Sequence, residues 1–288
     1  MIICNRKGSE FMENYQSFKT ESVLEESRDI DKKSPLEIAK IINDQDKTVA
    51  FAVEKALKEI AKGIELAADC LRNGGRMVYC GAGTSGRIGI LDASECPPTF
   101  GVSPETVMGI IAGGKEAVYA SIEDAEDSED SIVSQMKEID FSGRDLLIGI
   151  SASGSAKCVQ SALIYAGSIG AKTIAVTNNP NSPLIPLANV PIVAVVGPEV
   201  ISGSTRMKAG TSQKMIVNMI STGAMIKIGR TIGNRMAYMK PSNKKLVARA
   251  VNMIAAETGC DEATALEALQ KFNFIAADAI AYIKEIGK

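Results

Sequence analysis

There is no histidine in this chain of 288 residues. That absence excludes Ser-His-Asp and Cys-His catalysis, histidine metal sites and imidazole acid–base chemistry together. Any proton transfer falls to Glu, Asp, Lys, Tyr or Cys. No run of about twenty apolar residues is present, and the first residues lack a signal peptide's apolar core, so no membrane partner or secretion is expected. The six cysteines, at 4, 70, 80, 96, 158 and 260, show no paired metal-ligand spacing. They read as reduced cytosolic thiols, which places the chain in the cytoplasm. With 32 basic and 34 acidic residues the net charge is -2, which gives no electrostatic case for nucleic acid or an acidic membrane. Internal repeats and low-complexity segments are absent too.

What is present is a large apolar fraction, 45%, with 23% charged residues. One α/β domain with helical additions is the simplest fit. Everything is arranged around residues 77–101, MVYCGAGTSGRIGILDASECPPTFG. Met77–Cys80 reads as a buried parallel strand. It empties into Gly81-Ala82-Gly83-Thr84-Ser85-Gly86, where small residues let backbone approach a ligand and a helix start favours phosphate. Glu95 precedes Cys96-Pro97-Pro98, where the prolines are expected to end a short helix. The loop lacks the spacing and downstream acid of a dinucleotide site and the Gly-Lys-Ser/Thr of a Walker loop. Read alone, it fits a phosphate cradle or a plain strand-to-helix turn.

Residues 1–11 (MIICNRKGSEF) read as a cloning-junction leader, and Glu13–Lys33 as an irregular polar arm. Ser34-Pro35-Leu36-Glu37 opens a helix through a capping box. A second helix is expected from about Gln45 to Leu71, stopped by Asn73-Gly74-Gly75. Strands are predicted at Met77–Cys80, Val107–Ile111, Leu146–Ile150, Thr173–Thr177 and Val190–Val195, with helices between, notably Cys158–Ile169. This alternation argues for a doubly wound parallel α/β sheet covered by helices on both faces. Ligands in such sheets sit beyond the carboxyl ends of the strands, where the Gly81 loop and Ser151-Ala152-Ser153-Gly154 both fall. A long helix is predicted over Ser212–Ile228, its methionines serving packing, and Asn243–Lys288 reads as helices broken at Thr258–Asp261. The chain divides into an arm with helices (12–60), a central domain (61–232) and a C-terminal helical module (240–288). Glu123-Asp124-Ala125-Glu126-Asp127-Ser128 reads alone as a solvated charge run or the acidic start of a helix over Ser128–Met136.

GAGTSGR followed by DASECPPTFG resembles the N-acetylmuramic acid 6-phosphate etherases, a family within the sugar-isomerase (SIS) superfamily of phosphosugar-binding proteins. The likeness runs from about Ser34 to Leu269, strongest over 77–101, 197–224 and 257–269, and GSTRMKAGT (203–211) matches nearly residue for residue. It implies an SIS-type sheet, a C-terminal module of the ubiquitin-associated type and a homodimer with its site near the subunit interface. It also implies cleavage of the C3 lactyl ether of the phosphorylated muramic acid, without metal or organic cofactor. The family's catalytic base aligns with Glu126 and its acid with Glu95, which then needs a dry or negatively charged setting to stay protonated. Phosphosugar binding falls to Gly83, Thr84, Ser85, Gly86, Arg87, Ser151, Ser153, Gly154, Ser204 and Lys208. Two departures stand out. Ser153–Cys158 replaces a usual Gly-Arg-Thr-Pro-Tyr ending of the second loop, and Ala237-Tyr238-Met239 replaces a Val-Asp-Val-like stretch, which points to altered subunit contacts. Alternative readings are a phosphosugar isomerase, which the missing histidine disfavours, and a non-catalytic phosphosugar-binding regulator.

Overall fold

Five short apolar runs, the first four separated by helices and the last two by a loop with one 3-10 turn, are paired as one parallel sheet. The computed structural model describes residues 22–241 and 243–286, so the expected leader lies outside the described residues. The strands are β1 (Met77–Gly81), β2 (Val107–Ile111), β3 (Leu146–Ile150), β4 (Lys172–Thr177) and β5 (Val190–Val193), in the order β2-β1-β3-β4-β5. All pairings are parallel. The period of two sorts side chains to opposite faces: Met77 and Tyr79 enter one buried cluster, Val78 and Cys80 the other. The chain leaves β1 toward β2 and then returns across β1 to β3. That reversal opens a crevice beyond the carboxyl ends of β1 and β3, the position where such sheets bind ligands.

Helices α1 (Pro35–Asp46), α2 (Val49–Glu54) and α3 (Leu57–Arg72) precede the sheet. Ser34 and Glu37 close the expected capping box. The single helix predicted from Gln45 is instead two, because the chain turns at Lys47–Thr48 and again at Lys55–Ala56. Thr48 Oγ1 donates to the Gln45 carbonyl at 2.7 Å, and the turns set Val49, Val53 and Ile60 against the core. The arm before Ser34 contains two short 3-10 turns, Glu25–Ser27 and Ile30–Lys32.

Helix α4 (Gly83–Phe100) is longer than expected. Pro97 and Pro98 lie inside its last turns, and the stop comes at Gly101, which is left-handed at φ 64°. The start of α4 presses onto β1. A Cβ at Gly86 would stand 2.6 Å from Ile111 Cγ1 and 2.7 Å from the Gly81 carbonyl oxygen. We expect Gly86→Ala to cost roughly 1–3 kcal/mol through overpacking, a fall of several degrees in the thermal unfolding midpoint. An unchanged midpoint would contradict this packing.

After α5 (Ser131–Glu138) and α6 (Lys157–Ser168), α7 (Lys208–Lys227) packs beside α4. The Tyr79 hydroxyl and Ser221 hydroxyl both donate to the buried Asp92 carboxylate, at 2.7 and 3.0 Å, tying β1, α4 and α7 together. Helix α5 begins three residues later than predicted, and α7 begins four residues earlier. The Glu199 carboxylate accepts the Lys208 and Ala209 N–H groups, both at 2.9 Å, and so caps α7. A glutamate nine positions upstream is not a local cap signal, so the sequence pattern missed it.

Helices α8 (Lys244–Thr258), α9 (Glu262–Lys271) and α10 (Ala276–Ile286) form the C-terminal part. Asn243 and Asp261 cap α8 and α9 through side-chain acceptors, the second as expected. These helices have their own apolar cluster, and Ala237 and Met239 are buried within it. Within the departure at 237–239, Ala237 and Met239 pack inside the chain and Tyr238 is half-buried. Among the described residues, no helix is long and apolar enough to cross a membrane.

Candidate active site

The crevice beyond β1 and β3 is a cavity of about 400 Å³. Its walls come from three segments: Ala82–Ser85 after β1, Ile150–Ser153 with Ser155 and Ala156 after β3, and Gly203 with Thr205 before α7; Glu126 lines it too. The two hydroxyl-rich loops predicted from the sequence do share one cavity. Of the predicted binding residues, Gly83, Thr84, Ser85, Ser151 and Ser153 line it. Gly86 lies buried behind the loop, where its role is close helix–strand packing.

The serines are not equivalent donors. Asn178 Nδ2 donates to the Ala194 carbonyl at 2.8 Å and to Ser212 Oγ at 2.7 Å. Its oxygen therefore accepts from Gln213 Nε2, at 3.0 Å. Gln213 Oε1 is left facing Ser85, whose hydroxyl donates to it at 2.9 Å. Ser85 thus turns its proton inward and presents oxygen lone pairs to the cavity. Ser151 Oγ accepts from the Gly154 N–H at 3.1 Å and keeps its own proton to offer a ligand. Ser153 and Ser155 share a hydrogen bond of 2.7 Å. Ser151 on the β3 side, Thr84 on the β1 side and Thr205 before α7 all bring hydroxyls to the cavity that can donate to an anion. Sequence reasoning missed Asn178 and Gln213, because a buried amide on a helix or strand end carries no spacing signature.

Glu126 belongs to the segment between β2 and α5. Its backbone carbonyl accepts the Cys158 N–H at 3.1 Å, so the variant part of the second loop holds the carboxylate's residue in place. Partial desolvation, and then the charge of Asp127, raise the Glu126 carboxyl above the ordinary range. Burial, with a further contribution from Glu126, pushes the neighbouring Cys158 thiol up to about 12. Cys158 is therefore a neutral thiol beside the site, not a nucleophile.

A second, smaller cavity of about 170 Å³ adjoins the first. The two share Ala82, Gly83 and Glu126. Arg87 lines only the smaller one, and no lysine or arginine lines the larger.

The remaining expected residues lie elsewhere. Lys208 is buried, with Nζ donating to Gln45 Oε1 at 2.8 Å, and burial lowers its pKa. Ser204 and Gly154 support the loops without lining the cavity. Glu95 is exposed on α4, twelve positions past Gly83, about 18 Å along the helix axis. Within one chain it does not meet Glu126, and the chain alone does not give it the dry setting expected above.

Comparison with known proteins gives this arrangement a family. The SIS domain model matches residues 118–222, and the model of the glucokinase regulatory protein N-terminal SIS domain matches residues 59–167. An N-acetylmuramic acid 6-phosphate etherase of Clostridium botulinum is 52% identical over 255 residues, 88% of this chain and 84% of the relative. One of Symbiobacterium thermophilum is 54% identical over 252 residues, with the same coverage. This chain belongs to the N-acetylmuramic acid 6-phosphate etherase family. As a family member it is an enzyme of the carbon–oxygen lyase class. Among solved structures, a phosphosugar isomerase from Bacteroides fragilis involved in capsule formation aligns with TM-score 0.53 and 22% identity, over 72% of this chain and 98% of the other. A phosphoheptose isomerase from Francisella tularensis gives 0.50 and 20%, over 67% and 98%. At such identities these likenesses establish the SIS fold of the etherase chain and nothing about its reaction.

Proposed function

We propose that the chain cleaves the C3 D-lactyl ether of N-acetylmuramic acid 6-phosphate, giving N-acetylglucosamine 6-phosphate and D-lactate. The observation that carries this reading is Glu126 in the shared wall of two cavities, one lined by hydroxyl-rich loops, in an etherase-family chain. The phosphate sits on the Ser151–Ser155 loop, whose serines 151, 153 and 155 line the crevice. Holding the sugar by its far end fixes C2 and C3 near Glu126.

In the open-chain sugar the C1 aldehyde acidifies the C2 proton. Glu126 removes that proton, and the C2–H electron pair becomes a C2–C3 double bond. The C3–O bond breaks, its electrons go to the lactate oxygen, and an acid supplies the proton that oxygen takes up. Water then adds across the double bond, hydroxyl to C3 and hydrogen to C2. We assign the acid to Glu95, acting from a second copy of the chain, because it is remote from the cavity of its own chain. The homodimer, the central domain at 61–232, the ubiquitin-associated-like module at 240–288 and a cytoplasmic location are parts of the same proposal.

The decisive assay incubates the purified chain with N-acetylmuramic acid 6-phosphate and measures D-lactate. Stoichiometric lactate and N-acetylglucosamine 6-phosphate are expected. The match to a regulatory protein's SIS domain favours one rival reading, a phosphosugar sensor. Tight binding with no lactate would replace the etherase reading with that one.

A further inference from the structure

The smaller cavity differs chemically from the larger in a way the phosphate-and-base arrangement does not use. Its walls are five alanines and Ile122, with Gly83, Ser121 and the Glu126 carboxylate, around the single guanidinium of Arg87. Its 170 Å³ is below the roughly 300–1,000 Å³ of pockets that hold whole ligands, and suits a three-carbon fragment. The Arg87 side chain is held firmly. Its Nε donates to the Val118 carbonyl at 2.9 Å and its Nη2 to the Ala120 carbonyl at 2.8 Å.

Those two bonds occupy one edge of the guanidinium and leave three of its five N–H groups: both on Nη1 and the second on Nη2. None of the three has a hydrogen-bond partner among the described residues. The open end is the edge that grips a carboxylate with two parallel bonds. The alanines around it give a methyl group a surface to pack against. A carboxylate and a methyl on one carbon describe a 2-oxyacid fragment.

We propose that the Arg87 cavity is the subsite for the lactyl acid, with its carboxylate on Nη1 and Nη2 and its methyl among the alanines. The proposal rests on the etherase reading and deepens it. It changes the role expected for Arg87 from phosphate holder to leaving-group recognition. Because the two cavities meet at Glu126, a substrate occupying both would cross at the bond to be broken, sugar on one side and departing acid on the other.

The test compares the native substrate with its lactyl primary amide, equal in size but without the negative charge. For the unaltered chain the acid should be preferred by about 30-fold or more in kcat/KM, chiefly through KM, as for a desolvated charge pair losing one partner. Arg87→Gln should bring acid and amide to near equality, and Arg87→Lys should restore part of the preference. A preference near one in the unaltered chain would overturn the proposal. So would a preference that survives in Arg87→Gln. If Arg87 serves only to hold the Val118–Ala120 segment, its replacement will weaken both substrates alike, which also overturns it. Calorimetric binding of acid and amide reads the subsite apart from turnover. Tighter binding of the acid with no lactate released would keep the subsite and remove the etherase reading.

Discussion

Replacing Glu126 by glutamine is expected to lower lactate release by at least about a hundredfold, the usual contribution of a well-placed proton-transfer group, while leaving the fold as stable or more so. Glutamine keeps the shape and the backbone bond to Cys158 but cannot accept the C2 proton. The stability sign follows from the direction of the pKa shift. Desolvation and Asp127 raise the Glu126 carboxyl above its unfolded value, so the folded chain binds this proton more tightly than the unfolded chain does. As pH rises through the interval between the two values, folded stability falls, and at neutral pH the ionised carboxylate is a small penalty. Glutamine removes that penalty. A base must be ionised to act, so the acid limb of kcat/KM should lie above the ordinary glutamate range and vanish in the variant. Parallel activity and thermal-unfolding measurements check both signs. Loss of activity accompanied by a collapsed midpoint would mean that Glu126 supports structure instead.

The sheet was legible because each strand is a short apolar run closed by a glycine or hydroxyl loop, and periodicity reads such runs well. Four of the five predicted strands differ from the observed ones by one end residue at most; Val190–Val195 ran two residues long. Helix ends were read less well, for two physical reasons. The start of α7 depends on Glu199, which is close in space and not in sequence. The end of α4 depends on Gly101, while prolines in a last turn lose few bonds and need not stop a helix. At the site, the loops could be read from their composition. The amide relay through Asn178 and Gln213 could not, since its members come from the end of β4 and from α7 and meet only on folding. Lys208 shows the converse: the family likeness of GSTRMKAGT implied a ligand contact or a structural pairing, and folding buries its side chain against Gln45.

The placement of Glu95 leads to the other large effect. Glu95→Ala is expected to reduce turnover by about a hundredfold or more, although the residue touches no cavity wall of its own chain. On α4 it shares an exposed face with Leu91, which is 52% exposed, and Pro98. A second copy seated on this face would shelter the carboxylate, and the assignment of Glu95 to the other chain's cavity requires such a copy. The pairing makes an uncommon prediction about mixtures. Glu95→Ala and Glu126→Gln chains are each inactive alone, but a hybrid of the two has one site with both carboxylates intact. With random exchange, half the dimers are hybrids and half their sites are whole, so about a quarter of the original activity should return. If both acids serve the same chain, every site in every hybrid lacks one of them and nothing returns. Mixing the two variants under conditions where tagged subunits demonstrably exchange therefore decides the assignment. No recovery, or a native rate for Glu95→Ala alone, would remove Glu95 from the reaction.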